Sequence, residues 1–281
     1  MSIFHSPAKL NLFLRILYKR EDGYHELASL FQAISLFDTL TFTPTQDPDR
    51  LTVEGITMPT DNSNLILRAA KLFRDKTGLT LNVNVHAIKR IPLEAGLGGG
   101  SSNAATTLWA MNELTQRPAT LQQLTAWGAE LGSDVSFFLS NGTAYCTGRG
   151  ENLISLLPLK QPPSITIIKP NFGLSTPLVY RTLKAAELPQ RDPKLALKTF
   201  YEGEPSYFND LEVPAFSLSP ALKELQEKLL KSGFETVVLA GSGSSLFCIG
   251  EGNPPQQNDL LVHKVHCVSR SDGSWYNPYG T

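Results

Sequence analysis

Cysteine is scarce in this chain. Three thiols, Cys146, Cys248 and Cys267, are scattered over 281 residues. No two form a Cys-x-x-Cys pair, which argues against a structural zinc site and fits buried thiols in a reducing compartment. Charge of one sign is lacking as well: 25 lysines and arginines face 26 aspartates and glutamates. Without a basic surplus, neither nucleic acid nor an anionic membrane is an expected partner, and a polyanionic ligand would have to be held by local groups. No run of 18 apolar residues occurs, so no transmembrane helix is expected. The N-terminal stretch carries Lys9, Asn11 and Arg15 where a signal peptide needs an unbroken apolar core. A cytoplasmic protein is expected. Repeats and low-complexity segments are missing too. What is left is a globular composition, 41% hydrophobic and 18% charged, in a chain long enough for one large or two medium domains.

Against this plain background one segment stands out. Pro92-Leu-Glu-Ala-Gly-Leu-Gly-Gly-Gly-Ser-Ser102 holds four glycines, Gly96, Gly98, Gly99 and Gly100, followed by two hydroxyls, Ser101 and Ser102. Glycine lets a backbone turn tightly and approach a ligand with no Cβ in the way. Upstream, Leu79, Leu81, Val83, Val85 and Ala87 alternate with polar residues, the period of a half-buried strand. Downstream, Ala104, Leu108 and Met111 recur at helical spacing. A helix beginning at such a loop directs unpaired N–H groups and its positive dipole end toward the glycines, which makes a phosphate site. The chain has no Gly-Lys dipeptide and no Gly-x-Gly-x-x-Gly. A Walker A loop and a dinucleotide fingerprint are therefore both excluded.

The alternation of Leu10, Leu12, Leu14 and Ile16 predicts a strand over 8–17. Helices are predicted over 64–76, with Gly78 as stop, and over 120–131, with an apolar face of Leu121, Leu124, Trp127 and Leu131. Further along, 165–168 and 234–239 read as strands. Ser175 and Ser219, each followed by a proline, read as helix starts with a capping hydroxyl. The proline-rich Leu157–Pro163 suggests a boundary, giving domains 1–157 and 158–281. Residues 189–193 and 252–257 read as surface loops.

A few side chains carry chemistry. Lys9 and Asn11 share one face of the first strand. That face is either an ordinary polar surface or a place where a compact cation meets a phosphoryl group. Asp134 follows the helix stop Gly132; its carboxylate either caps the next short helix or accepts a hydroxyl proton. His25-Glu26-Leu-Ala-Ser29 opens like a zincin helix, but Ser29 stands where the second histidine should be, so no metal pair is expected. Tyr24 is placed to stack on a base. Gly241-Ser-Gly-Ser-Ser245 lies between two strands and reads as a hairpin turn or as a second loop near phosphate or substrate.

These pieces, in this order, resemble the GHMP kinases. Pro92 to Ala105 is similar to that family's central ATP motif, Ala8-Lys-Leu-Asn-Leu12 to its first motif and Leu239-Ala-Gly-Ser-Gly-Ser244 to its third. Asp22-Gly-Tyr-His25, Leu30-Phe-Gln32, Leu131-Gly-Ser-Asp134 and Asn209-Asp-Leu-Glu212 narrow the resemblance to members acting on a cytidyl substrate. The resemblance implies an α+β, two-domain GHMP kinase architecture, with an N-terminal ribosomal protein S5 domain 2-like fold and a C-terminal ferredoxin-like domain. It also implies a small-molecule kinase of the non-mevalonate isoprenoid route. With ATP as phosphoryl donor and Mg2+, the enzyme would phosphorylate the 2-hydroxyl of a diphosphocytidyl-methylerythritol.

Roles follow by position. Asp134 would be the base, and Lys9 would hold it ionised, since a nearby cation favours the charged form. Pro92, Leu93, Glu94, Ala95, Gly96, Leu97, Gly98, Gly99, Gly100, Ser101 and Ser102 would wrap the ATP phosphates, a hydroxyl of Ser101 or Ser102 would reach magnesium, and Asn64 and Lys89 would lie near the adenosine. Tyr24 and Tyr180 would sandwich the cytosine while His25 bonds its edge; Phe31 would line the pocket, Asn11 would orient the erythritol chain, and Gly241 would border the substrate. The partners implied are the cytidyl substrate and ATP, with no nucleic acid or membrane, and a monomer or weak homodimer. Departures from the family pattern are Glu94, where a methionine is usual, Tyr180, where a phenylalanine is common, and a third motif without its usual threonines. The tail Arg270 to Thr281, with Trp275, Tyr276 and Tyr279, has no assignment.

Overall fold

The structure, a computed structural model, describes residues 1–257 and 259–277; Tyr279 lies outside them. Two long strands, β1 (Ser2–Lys19) and β2 (His25–Thr45), pair antiparallel along nearly their whole length. The strand expected over 8–17 is thus the middle of a longer one, with register shifts after Pro7, Asn11 and Ile16. Both of its faces are covered: Lys9 and Asn11 are as buried as Leu10 and Leu12, which removes the reading of an open polar surface.

The chain continues through β3 (Arg50–Glu54), α1 (Leu65–Thr77), β4 (Asn82–Ile88), α2 (Gly99–Leu114), α3 (Leu121–Leu131), α4 (Val135–Phe138), β5 (Thr143–Gly148) and β6 (Asn152–Ser155). β2 is forked, its first half pairing with β5 and its second half with β4. Asn64 caps α1 by accepting from the Ile66 N–H at 3.0 Å. Gly78 ends that helix in the left-handed conformation at φ 72°, where a side chain would be strained. Thr120 and Gln123 form a capping box on α3. Of the expected apolar face on that helix, Leu124 is buried, whereas Leu121 is 38% exposed.

The proline-rich link leads into β7 (Ile165–Pro170), α5 (Thr176–Thr182), α6 (Pro193–Glu202), β8 (Phe208–Asn209), α7 (Glu212–Leu218), α8 (Pro220–Lys231), β9 (Thr236–Leu239), β10 (Leu246–Ile249) and β11 (Leu260–Val265). The hydroxyls of Ser175 and Ser219 make no capping bond; the prolines, with φ already helical, begin those first turns. Pro193 likewise starts α6 with Asp192 as cap, so the loop expected over 189–193 is partly a helix start. The second sheet has the antiparallel order β11-β7-β10-β9, the strand order of a split βαβ, ferredoxin-like unit.

The two sheets share a hydrophobic core. Leu10, Leu12 and Ile34 from the first cluster with Ile167, Val238 and Phe247 from the second. A separate cluster, including Phe42, Phe73, Leu108 and Phe137, lies between the first sheet and helices α1 to α4. β8 runs parallel to β1, and residues 266–268 bond back to Ala33 and Ser35. Chain from the second half therefore completes the first sheet.

Asp38 pins one buried polar junction. Its carboxylate accepts from the N–H groups of Arg90 and Ile91 at 2.8 and 2.9 Å, from Asn103 Nδ2 at 2.9 Å and from Lys89 Nζ. The Lys89 and Asp38 side chains are 1% and 0% exposed. Removing one partner of a buried pair leaves the other charge uncompensated. Asp38→Ala is therefore expected to cost about 3–5 kcal/mol of stability in urea unfolding, and the double change Asp38→Leu with Lys89→Met to recover much of it.

Candidate active site

The glycine loop joins β4 to α2 as expected, and its geometry comes from what presses on it. Gly98 caps α2 at φ 71° and, being glycine, has no side chain to cap the first N–H groups of the helix. A Cβ on Gly98 would stand 3.0 Å from Lys9 Cγ and from Phe138 Cζ. A Cβ on Gly96 would run into the Ala240 carbonyl, and one on Gly243 into the backbone at Ala95 and Gly96. Glycines at these positions allow three pieces of chain to touch: β1, the glycine loop, and the β9–β10 hairpin holding Gly241 to Ser245. The hairpin reading of that last segment is correct, and the hairpin also meets the first loop.

Lys9 stands where these pieces meet. Its backbone N–H donates to Leu97 O at 3.0 Å. Its ammonium donates to Asn11 Oδ1 at 2.8 Å, pairs with Asp134 Oδ2 at 3.2 Å and lies 4.4 Å over the Phe31 ring. The Lys9 side chain is 5% exposed and that of Asp134 31%, so the carboxylate faces the opening while the cation lies behind it. Asp134 does sit at the start of α4, but its side chain makes no capping bond; the carboxylate is turned to Lys9 instead. Asn11 is fixed at its other end by Nδ2 donating to Ser29 Oγ at 2.9 Å.

Lys9, Asn11, Phe31 and Asp134 line a cleft of about 750 Å3. A second cleft, about 240 Å3, follows Pro92 to Ser101. Gly96 and Gly98 border both. Ser102 is fully buried, and its hydroxyl accepts from Ser6 Oγ at 2.9 Å, which leaves Ser101 as the serine facing outward. Lys89 borders the small cleft, but its ammonium is held by Asp38 and Asn103. Asn64 is engaged in capping α1 and in bonding Pro59 O. Glu94 has a left-handed φ of 50°, and its carboxylate lies against Gly173 of the loop after β7. It opposes the effect of burial, which pulls the Lys169 ammonium down.

At the far end of the large cleft, Tyr24, His25 and Tyr180 come together. The ring facing Tyr180 is that of His25, with centroids 5.5 Å apart. Tyr24 is 57% exposed, and the Arg149 guanidinium lies 4.9 Å over its ring. Burial and then Lys19 pull His25 below its usual value, which favours the neutral ring with one donor and one acceptor. Burial pushes the Tyr180 phenol up, with Asp134 adding to the effect. Sequence reading missed Arg149, Lys19 and Arg181, which line the same cleft. The signal available for Arg149 was its place between Gly148 and Gly150, a cation at the tip of a tight turn.

The third loop has its own anchor. Asn209 Nδ2 donates to the carbonyls of Leu239 and Gly241 at 2.8 and 2.7 Å. Glu212 Oε1 accepts from the Leu239 N–H at 2.9 Å. Asp210 Oδ2 accepts from Arg15 Nη1 and from the Ile16 N–H at 2.7 and 2.8 Å. The Asn-Asp-Leu-Glu segment therefore ties β1 to the hairpin.

Comparison with known proteins gives these loops a common setting. The family described as GHMP kinases N terminal domain matches residues 64–142, and GHMP kinases C terminal matches residues 184–266. The chain belongs to the GHMP kinases. It is a phosphotransferase with the two-domain architecture of that family. A 4-diphosphocytidyl-2-C-methyl-D-erythritol kinase of Protochlamydia amoebophila is 52% identical over 97% of this chain and 92% of its own length. A chloroplastic kinase of the same name from Arabidopsis thaliana is 42% identical over 96% of this chain and 75% of its own. A solved 4-(cytidine 5'-diphospho)-2C-methyl-D-erythritol kinase superposes with TM-score 0.79 at 36% identity, over 95% of this chain and 99% of that one. A homoserine kinase of Cytophaga hutchinsonii, at TM-score 0.69 and 16% identity over 95% of this chain and 94% of its own, shares the fold.

Among the described residues no helix is long and apolar enough to cross a membrane. The anchor of the third loop also makes a pH test available. Burial raises the Glu212 carboxyl from 4.5 to about 7, against the opposing N–H of Leu239. The folded protein then holds a proton that the unfolded chain has released, so stability falls as pH rises. This contribution is complete below pH 4.5 and is lost as pH rises through about 7. Glu212→Gln, neutral at every pH, is expected to flatten the fall in Tm across that window.

Proposed function

We propose that this kinase transfers the γ-phosphoryl group of ATP to the 2-hydroxyl of 4-diphosphocytidyl-2-C-methyl-D-erythritol, giving the 2-phosphate and ADP in the non-mevalonate route to isoprenoid precursors. The supporting observation is a pair of clefts that meet at Gly96 and Gly98, with the Lys9–Asp134 pair at the junction. In this reading ATP places its phosphates along Pro92 to Ser101, against the start of α2. The cytidyl end of the acceptor lies among Tyr24, His25 and Tyr180, with the base stacked on an aromatic face and the neutral His25 bonding its edge. Asn11 and Gly241 border the erythritol chain.

The chemistry is an in-line displacement in which positioning and charge do most of the work. Asp134 accepts the hydroxyl proton, the alkoxide oxygen bonds to the γ-phosphorus, and the bond from that phosphorus to the β–γ bridging oxygen breaks, releasing ADP. Lys9 pairs with the carboxylate and faces the developing negative charge. Magnesium is the expected companion of ATP. Among the described residues no three of His, Cys, Asp or Glu lie close enough to hold a metal ion. The ion would therefore rest mainly on phosphate oxygens and water, with the Ser101 hydroxyl at hand, and would spread the phosphate charge.

ADP release with magnesium-ATP should be seen with the cytidyl compound and not with mevalonate or homoserine; turnover of either of those instead would overturn the assignment. Asp134→Ala is expected to lower kcat by about 10²–10⁴-fold while ATP still binds. Loss of ATP binding in that variant would make Asp134 structural. His25→Ala should raise KM for the cytidyl compound roughly tenfold, the worth of about one hydrogen bond in a partly buried site. An unchanged KM would remove His25 from base recognition.

A further inference from the structure

Residues 266–277, beyond β11, line neither cleft, and the match to the C-terminal family domain stops at residue 266. Their contacts are nevertheless specific. Arg270 is 5% exposed, and its guanidinium is held by carbonyls: Nε donates to Ser140 O at 2.8 Å, Nη1 to Ser274 O at 2.9 Å and Nη2 to Leu139 O. The hydroxyl of Tyr276, itself buried, donates to Ser140 O at 3.3 Å. Trp275 stacks on Trp109 of α2 with centroids 5.1 Å apart, and its Nε1 donates to His5 O at 2.8 Å. Arg270 lies 5.1 Å over the Trp109 ring.

Leu139 and Ser140 are the residues directly after α4, and Asp134 is the residue directly before it. A four-residue helix cannot hold itself together, because one turn fixes several residues for very few hydrogen bonds. Its terminal carbonyls need outside donors, and a cation at that end suits the helix dipole. Arg270 supplies the cation, and its donors take the carbonyl of the cap residue Leu139 and that of Ser140 just beyond it. Through Trp275 the same segment grips α2, the helix that starts at the glycine loop. We propose that residues 266–276 form a positioning strap that fixes α4, and with it Asp134, relative to the start of α2. Arg270 acts through α4 and touches no reacting atom. The effect on catalysis rests on the reading of Asp134 as proton acceptor; the effect on α4 does not.

Two readouts on the full chain test this: steady-state ADP release, and hydrogen–deuterium exchange of residues 135–142. For Arg270→Met we expect kcat to fall about tenfold or more, since small misplacements of a reacting group are severe in rate. KM for ATP and for the cytidyl compound should stay within about twofold, the pattern of an interaction felt in the transition state only. Exchange at 135–142 should quicken while that of β7 to β11 is unchanged, and Arg270→Lys should recover part of both effects. An unchanged kcat, a change confined to KM, or a fall in kcat with unaltered exchange at 135–142 would each overturn the strap. Should Arg270→Met fail to fold, Tyr276→Phe, which removes one hydroxyl bond, is read in the same two ways. If the wild-type chain does not turn over the cytidyl compound, the proposed reaction fails, and exchange at 135–142 still decides whether the strap holds α4.

Discussion

A charged ammonium buried in the first sheet, that of Lys9, sets the terms for everything around it. An ion taken out of water must be paired and hydrogen-bonded or it destabilises the fold by several kcal/mol. Here the partners come from three places: Asn11 two residues along the same strand, Asp134 at the head of α4 and the face of Phe31 on β2. Each is in turn constrained. Asn11 is turned by Ser29, Phe31 rests edge-on against Phe137, and Asp134 gives up its local role as a helix cap. The stem of Lys9 presses on the glycine loop closely enough that a Cβ on Gly98 would crowd it at 3.0 Å. The glycine at that position thus answers to two demands, an open approach for a ligand and the bulk of the lysine beneath it.

The second constraint is steric. Gly96 and Gly243 have no room for a Cβ, so the glycine loop and the β9–β10 hairpin meet main chain to main chain at these two positions. Close packing makes such contacts stiff. The hydrophobic cluster shared by the two sheets runs beneath them, and Asn209, Asp210 and Glu212 fasten the hairpin to β1 from the other side. A loop rich in glycine reads as flexible when taken alone. Held between a strand, a hairpin and the start of a helix, it becomes a fixed cradle of N–H groups, and in this fold its glycines serve close approach more than mobility.

What could be read from the sequence was what depends on neighbours in the chain. The glycine loop declared itself because strand, loop and helix follow one another within about two dozen residues. Lys9 and Asn11 declared a shared face through the period of a strand, although nothing local told whether that face was open or covered. Asp134 shows the limit: its neighbours favour a cap, and only the fold brings Lys9, 125 positions earlier in the chain, to claim its carboxylate. Ser101 and Ser102 are indistinguishable in sequence, yet Ser6 draws one into the core. Asp38 and Arg149 escaped notice because their partners, Lys89 and Tyr24, are remote in sequence. β2 escaped because both of its faces are buried, which erases the alternation that marks a half-exposed strand. The aromatic tail had no reading either, since Arg270 and Trp275 find their partners near residues 5, 109 and 140.

Charge shows the same division between local and global. A chain of net charge −1 has no field to draw a polyanion from a distance, so attraction must arise where the ligand sits. The large cleft gathers Lys9, Lys19, Arg149 and Arg181 around Asp134, the one carboxylate that lines it among the described residues, and the start of α2, capped by a glycine, adds partial positive charge at the shared wall. Low-dielectric walls strengthen such fields in a cleft. Lys9 stands behind that carboxylate, and in the proposed reading the site combines a region suited to phosphates with a group placed to take a proton. A cleft with cations alone would bind anions without a proton acceptor. In the proposed reading, Asp134 without Lys9 would repel the phosphates placed beside it. Near-neutrality of the whole molecule and strong polarity of its cleft are therefore compatible, and the second does not depend on the first.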